Sequence, residues 1–253
     1  TGDGDHEPDG LLAHASERRR GLRCEGTDGR VERTENPTMT DYTPNADPDV
    51  NVQDLIDRLH EEADREFSTV NTPEVGIIMG SDSDLDVMSG AHDALARLGF
   101  EEQTDFQDPP EARFTYETYV VSAHRTPELM SAYGETAADR GLDVVIAGAG
   151  GKSADLPNMT ASLAYPLPVI GVPVQEKSVD SVIGMPTGAP IVAVDAGKSF
   201  NAALSAVQIL GREHVELRDR LTEYHDALVS DVARDSRDLH DLGVAGYRES
   251  RGE

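Results

Sequence analysis

From Val75 to Leu210 the chain alternates short Val- and Ile-rich runs, bounded by glycine and proline, with segments of helical periodicity. The pattern predicts strand Val75–Met79, helix Leu85–Leu98, strand Tyr116–Ser122, helix Pro127–Arg140, strand Asp143–Ala147 and a helix near Leu156–Leu163. Strand Pro168–Val172, a short helix Val179–Gly184, strand Ile191–Val194 and helix Ser199–Leu210 follow. Strands apolar on both faces belong to parallel sheets with helices on either side. The expected fold class is α/β, a doubly wound three-layer parallel sheet.

Residues 1–50 mix Gly, Pro, Asp, Thr and Arg around one apolar cluster, Leu11 to Ala13, and cannot bury a core. They read as a disordered or non-native extension, with Met39 as an alternative natural start. Leu55, Ile56 and Leu59 recur at helical spacing, so residues 51–70 hold an amphipathic helix. Residues 71–212 form the α/β domain, and 213–253 a C-terminal helical extension and tail, with Val215, Leu217, Leu221, Leu228, Val229 and Val232 as an apolar stripe. Gln107 to Phe114, carrying Asp108-Pro109-Pro110, reads as an inserted surface loop.

Charge narrows the function. With 22 Lys and Arg against 48 Asp and Glu, the net charge is −26, which disfavours nucleic acid and anionic membranes as partners. Lys152, Lys177 and Lys198 are the only lysines. An acid-rich, lysine-poor surface stays hydrated in molar salt and repels itself at low ionic strength, so the chain is expected to be halophilic. The single cysteine, Cys24, excludes an intramolecular disulfide and Cys-rich metal sites and fits a reducing cytoplasm. No apolar run of membrane-spanning length and no signal-peptide pattern is present.

In an open parallel sheet ligands bind beyond the carboxyl ends of the strands, which singles out three loops. Gly80-Ser81-Asp82-Ser83-Asp84 follows the first strand and reads as a phosphate cradle or an ordinary helix cap. Ser122-Ala123-His124-Arg125-Thr126-Pro127 sets a proton-exchanging imidazole beside an anion-binding guanidinium, or is a solvated loop. Ala147-Gly148-Ala149-Gly150-Gly151, continuing to Asn158, lets a planar ring approach the backbone closely, or is merely flexible. Gly171 to Gln175 and Met185 to Gly188 either wall a pocket or turn the chain.

Seven motifs in order resemble one family across Val75 to Leu210: Met79 to Asp84, Ser122 to Pro127, Ala147 to Gly151, Gly171 to Gln175, Val179-Asp180-Ser181, Met185-Pro186 and Asn201 to Leu204. The family is that of the enzymes that carboxylate aminoimidazole ribonucleotide in purine synthesis, and the resemblance is closest to the 5-(carboxyamino)imidazole ribonucleotide mutases. It implies a flavodoxin-like fold, a ribonucleotide substrate, no metal or cofactor, and a homo-octamer. It further implies that His124 transfers the proton and that Ser81 and Asp84 contact the nucleotide. By the same resemblance Arg125 holds the phosphate, and Gly80, Ser122, Ala149, Gly150 and Gly151 complete the pocket. One segment departs from the family: Lys152 to Asn158 is a residue longer than usual, and Asp155 stands where a histidine is expected. Direct carboxylation of aminoimidazole ribonucleotide by carbon dioxide is the alternative reaction, and Arg125, where that branch carries lysine, favours the mutase.

Two non-enzymatic readings are weaker. A receiver-type module needs an aspartate where the glycine loop stands, and a flavin carrier needs ring-stacking aromatics in a chain with no Trp. His214, His225 and His240 read as solvated positions on the C-terminal helices, and Asp195, Lys198 and Asn201 as capping residues of a helix start, with Asn201 also able to reach ligand.

Overall fold

The computed structural model describes residues 50–65 and 72–252. The N-terminal extension, with Cys24 and Met39, and residues 66–70 of the expected first-helix segment lie outside the described residues. Helix α1 (Val52–Ala63) opens on Asn51, whose side chain accepts a hydrogen bond from the Gln53 backbone N–H. The α/β alternation then follows: β1 (Val75–Met79), α2 (Leu85–Arg97), β2 (Phe100–Glu102), β3 (Phe114–Val120), α3 (Pro127–Thr136), β4 (Val144–Ala149) and α4 (Leu156–Leu163). It closes with β5 (Val169–Pro173), α5 (Val179–Ile183), β6 (Val192–Ala193), α6 (Ser199–Leu210) and α7 (Val215–Arg251).

All neighbouring strands are parallel, in the order β2-β3-β1-β4-β5-β6. This is a doubly wound α/β fold, as the alternation predicts, and a flavodoxin-like one, as the resemblance implies. Side chains divide the sheet with period two. Val75, Ile77, Met79, Val144, Ile146, Ile170 and Val172 pack under α2 and α6. Ile78, Val145, Ala147 and Val169 pack under α1, α3, α4 and α5. Gly148 makes the first layer possible, because a β-carbon there would lie 2.2 Å from Sδ of Met88 on α2.

A buried ionic cluster ties α1 to that second layer. Arg140 is fully buried, and its Nη1 donates to both Glu117 carboxylate oxygens at 2.8 and 2.7 Å, with Glu62 of α1 3.8 Å away. Glu62 also accepts from Arg58 at 2.8 Å. The arginine lies over the Tyr133 ring, 4.8 Å from its centroid.

The structure corrects several element boundaries. Three-residue β2 has no expected counterpart, since so short a run carries no period. β3 begins at Phe114, inside the segment expected to be loop, and the insertion is pinned by the buried Phe106 and Phe114 at its ends. α3 stops at Thr136, short of Arg140, and β4 extends to Ala149. The C-terminal extension is one long helix interrupted at Gly243 (φ 67°), where the chain folds back so that Arg251 meets Asp235. Of its apolar stripe, Leu217 is buried and Leu221 packs on the core, whereas Leu228, Val229 and Val232 are exposed. None of the described helices is long and apolar enough to cross a membrane.

Candidate active site

Four loops leaving the carboxyl ends of β1, β3, β4 and β5 enclose a cavity of about 310 Å³. The sheet itself holds them in place. Gly80 N–H bonds to the Gly148 carbonyl, Val121 N–H to that of Met79, and Val174 N–H to that of Ala149, at 2.8 to 3.0 Å. Each ladder is thereby carried one residue past its strand, which fixes where each loop starts.

After β1, Ser81 caps a single turn, accepting from the Ser83 N–H at 3.3 Å, and the Ser83 hydroxyl reaches Ser81 Oγ at 3.0 Å. Asp84 closes that turn nearly buried and points into the cavity floor. Burial pushes its carboxyl above the usual range, while hydrogen bonds from the Ser81 and Gly150 backbones pull the other way. The loop is thus the helix cap that the sequence allowed and also lines the cavity.

After β3, Thr126 closes the turn by accepting from the Ser122 N–H at 3.0 Å, and Pro127 starts α3. Arg125 joins two strand ends: its Nη2 donates to the Gly80 carbonyl at 3.0 Å and its Nε to Ser122 Oγ at 3.3 Å. His124 stands beside it, exposed on the cavity wall. Ala149, the last residue of β4, is buried, and beyond it Gly151 turns the chain at φ 85°.

Eight of the nine site residues expected from the sequence, Gly80, Ser81, Asp84, Ser122, His124, Ala149, Gly150 and Gly151, line this one cavity. Arg125 is not among its lining residues and braces the rim instead. Asn201, on α6, and Met185-Pro186 do not line it.

Five polar lining residues were not singled out as site residues: Ser83, Ser153, Asp155, Gln175 and Lys177. Asp155, read only as a departure from the family, is 3.2 Å from His124 Nε2. The signal available for Lys177 was the scarcity of lysine: all three lysines follow β4, β5 or β6 on the carboxyl side of the sheet. His214 is a correction. It precedes α7, half-buried, with its ring edge-on to Phe114 at 5.0 Å, because Phe114 belongs to a strand. His225 and His240 are exposed, as expected.

The arrangement combines one imidazole with a carboxylate beside it, a second carboxylate nearly buried, and a wall of small residues that admits a flat ring. That inventory suits acid–base chemistry on a small molecule.

The AIR carboxylase family model matches residues 74–230. N5-carboxyaminoimidazole ribonucleotide mutase of Mycobacterium tuberculosis is 47% identical over 176 residues, covering 67% of this chain and 92% of that protein. The Thermotoga maritima protein of the same name is 39% identical over 181 residues, covering 69% of this chain and 96% of its own. The crystal structure of Treponema denticola PurE has the same fold, with a TM-score of 0.54 at 25% identity, over 66% of this chain and 98% of that one. With the sheet order, the cavity and the matched span in agreement, the chain belongs to the AIR carboxylase family.

Proposed function

We propose that this protein converts 5-(carboxyamino)imidazole ribonucleotide to 4-carboxy-5-aminoimidazole ribonucleotide in purine biosynthesis, with His124 carrying the proton. The observation that supports this most directly is the convergence of four of the seven motif segments, His124 among them, on one cavity at the carboxyl edge of the sheet.

In this reading imidazolium His124 protonates the carbamate nitrogen, the C–N bond breaks, and carbon dioxide is released inside the cavity. Ring carbon 4 then attacks the trapped carbon dioxide, and the hydrogen on that carbon leaves as a proton to the now neutral His124. One proton is given and one recovered, so the enzyme returns to its starting state. Confinement makes recapture effectively unimolecular, and the small-residue wall from Ala149 to Gly151 lets the ring lie close to the backbone. Ser81 and Asp84 contact the ribonucleotide, with Asp84 on the ribose side, since a carboxylate would repel phosphate. Arg125 takes the phosphate, using guanidinium hydrogens beyond those spent on Gly80 and Ser122.

The same reading assigns catalysis to residues 71–212, treats 1–50, 51–70 and 213–253 as additions to that domain, and places the protein in a salt-rich cytoplasm as a homo-octamer. Exposed Leu228, Val229 and Val232 on α7 are consistent with burial between copies.

The test supplies purified protein, in molar potassium chloride, with the carbamate ribonucleotide or with aminoimidazole ribonucleotide plus bicarbonate, and quantifies carboxylated product for wild type and His124→Asn. Conversion of the carbamate, lost in the variant, is expected. Preference for free carbon dioxide would reassign the reaction to direct carboxylation, and no product from either substrate would reject the reading.

A further inference from the structure

We infer that Asp155 is the positioning residue for His124, and that Ser181 holds Asp155 in turn, forming a hydroxyl–carboxylate–imidazole relay across three crossovers of the sheet. The inference rests on the assignment of His124 as proton carrier.

The contacts are direct. Asp155 Oδ2 lies 3.2 Å from His124 Nε2, and Oδ1 accepts from Ser181 Oγ at 2.9 Å. His124 comes from the loop after β3, Asp155 from the start of α4, and Ser181 from α5 beyond β5. Asn158 Nδ2 donates to the Ser181 carbonyl at 2.9 Å, which fixes α5 against α4 and sets the spacing between the serine and the carboxylate.

Asp155 occupies the residue preceding α4, where an aspartate ordinarily turns its carboxylate back to cap the helix. Here it makes no such hydrogen bond, and its two oxygens reach across to two other elements. With one oxygen tethered, the carboxylate cannot swing away from the ring. A carboxylate accepting from one ring nitrogen sets the orientation of the imidazole and keeps that nitrogen protonated. Closing the 3.2 Å contact of His124 into such a bond places its retained hydrogen on Nε2 and leaves Nδ1 to exchange the substrate proton.

Asp155→Asn should lower kcat by about 10- to 100-fold, the usual scale for losing the partner that orients a functional histidine, with KM little changed. Ser181→Ala should lower kcat by about threefold to tenfold, as expected for one hydrogen bond. Asp155→Glu should recover part of the Asn loss. In the His124→Asn background the Asp155 change should add nothing, because a residue acting only through the imidazole has nothing left to orient. Far-UV circular dichroism checks that each variant folds, and Ser181→Ala carries the kinetic test should Asp155→Asn unfold. A kcat within twofold of wild type in both Asp155→Asn and Ser181→Ala, or a change confined to KM, would overturn the inference. An independent readout is the 15N spectrum of histidine-labelled protein, with His124 assigned by its absence from His124→Asn. The neutral ring should be a single Nε2–H tautomer in the wild type and a mixture in Asp155→Asn. An Nδ1–H ring in the wild type would overturn the relay whatever the activity, whereas an inactive wild type with the expected tautomer would reject only the assigned reaction.

Discussion

A β-carbon on Gly150 would sit 3.0 Å from Oδ1 of Asp84, so the glycine loop after β4 and the acidic turn after β1 touch at the cavity floor. Gly150→Ala must displace the carboxylate that the ribonucleotide is proposed to meet. Its kcat/KM should fall by about 10- to 100-fold, the scale on which small misplacements in a site are felt. Thermal unfolding should remain within a few degrees of wild type, because the new methyl group faces the cavity and not the core. Steady-state kinetics beside a melting curve tests both halves.

Arg125 braces Gly80 and Ser122 at once, a geometry that needs the planar fork of a guanidinium. Arg125→Ala is expected to raise KM by about 10- to 100-fold, corresponding to a lost hydrogen bond to a charged group. Arg125→Lys should recover only a fraction of this, since one ammonium cannot hold both partners. A lysine variant with wild-type KM would contradict the bracing role.

The cluster of Arg140, Glu117 and Glu62 is far more sensitive to loss of one member than to loss of all charge. Arg140→Met leaves the buried Glu117 carboxylate without its cation, Glu62 keeping Arg58, and should destabilise the fold by about 3–5 kcal/mol. Adding Glu117→Leu and Glu62→Leu should restore much of that stability. Urea titration of the single and triple variants gives the comparison.

His92 supplies a pH signature. Its ring is half-buried, with Nε2 3.1 Å from Thr118 Oγ1, and burial holds the imidazole below its ordinary range against the opposing pull of Glu102 and Asp93. A histidine depressed in the folded state is protonated first in the unfolded chain, so its contribution to stability is intact above the unfolded value near 6.5 and declines as pH falls through it. His92→Asn should therefore gain stability relative to wild type between pH 7.5 and pH 5.5. Parallel melting curves with an unchanged difference would show that His92 does not titrate on unfolding.

Net charge of −26 predicts a strong salt response. Raising potassium chloride from about 0.1 M to molar levels shortens the screening length from about 10 Å to about 3 Å and should raise the unfolding temperature by several degrees. A melting temperature independent of salt would remove the basis for reading the surface as halophilic.

Legibility differed by kind of feature. The longer strands of the sheet announced themselves through runs such as Val75 to Met79, and the loops beyond them were placed correctly because every crossover is parallel. β2 escaped notice because three residues hold no period. His214 was misjudged because its environment depends on Phe114, whose membership of β3 the flanking polar run concealed. Gln175 ends a segment that the sequence offered as a pocket wall, whereas Lys177 joined the site through the turn after β5, which as sequence is indistinguishable from any other polar turn.

Alternating apolar runs, their lengths and their glycine and proline boundaries determined the α/β architecture and the edge of the sheet at which ligands bind, since strand and helix periods are local properties of the chain. Only the tertiary structure decided that Asp155 meets His124 and Ser181, and that Arg140 is buried between Glu117 and Glu62. Those pairs span separate crossovers of the sheet. Their distances follow from how the helices pack on it, and no sequence period encodes that.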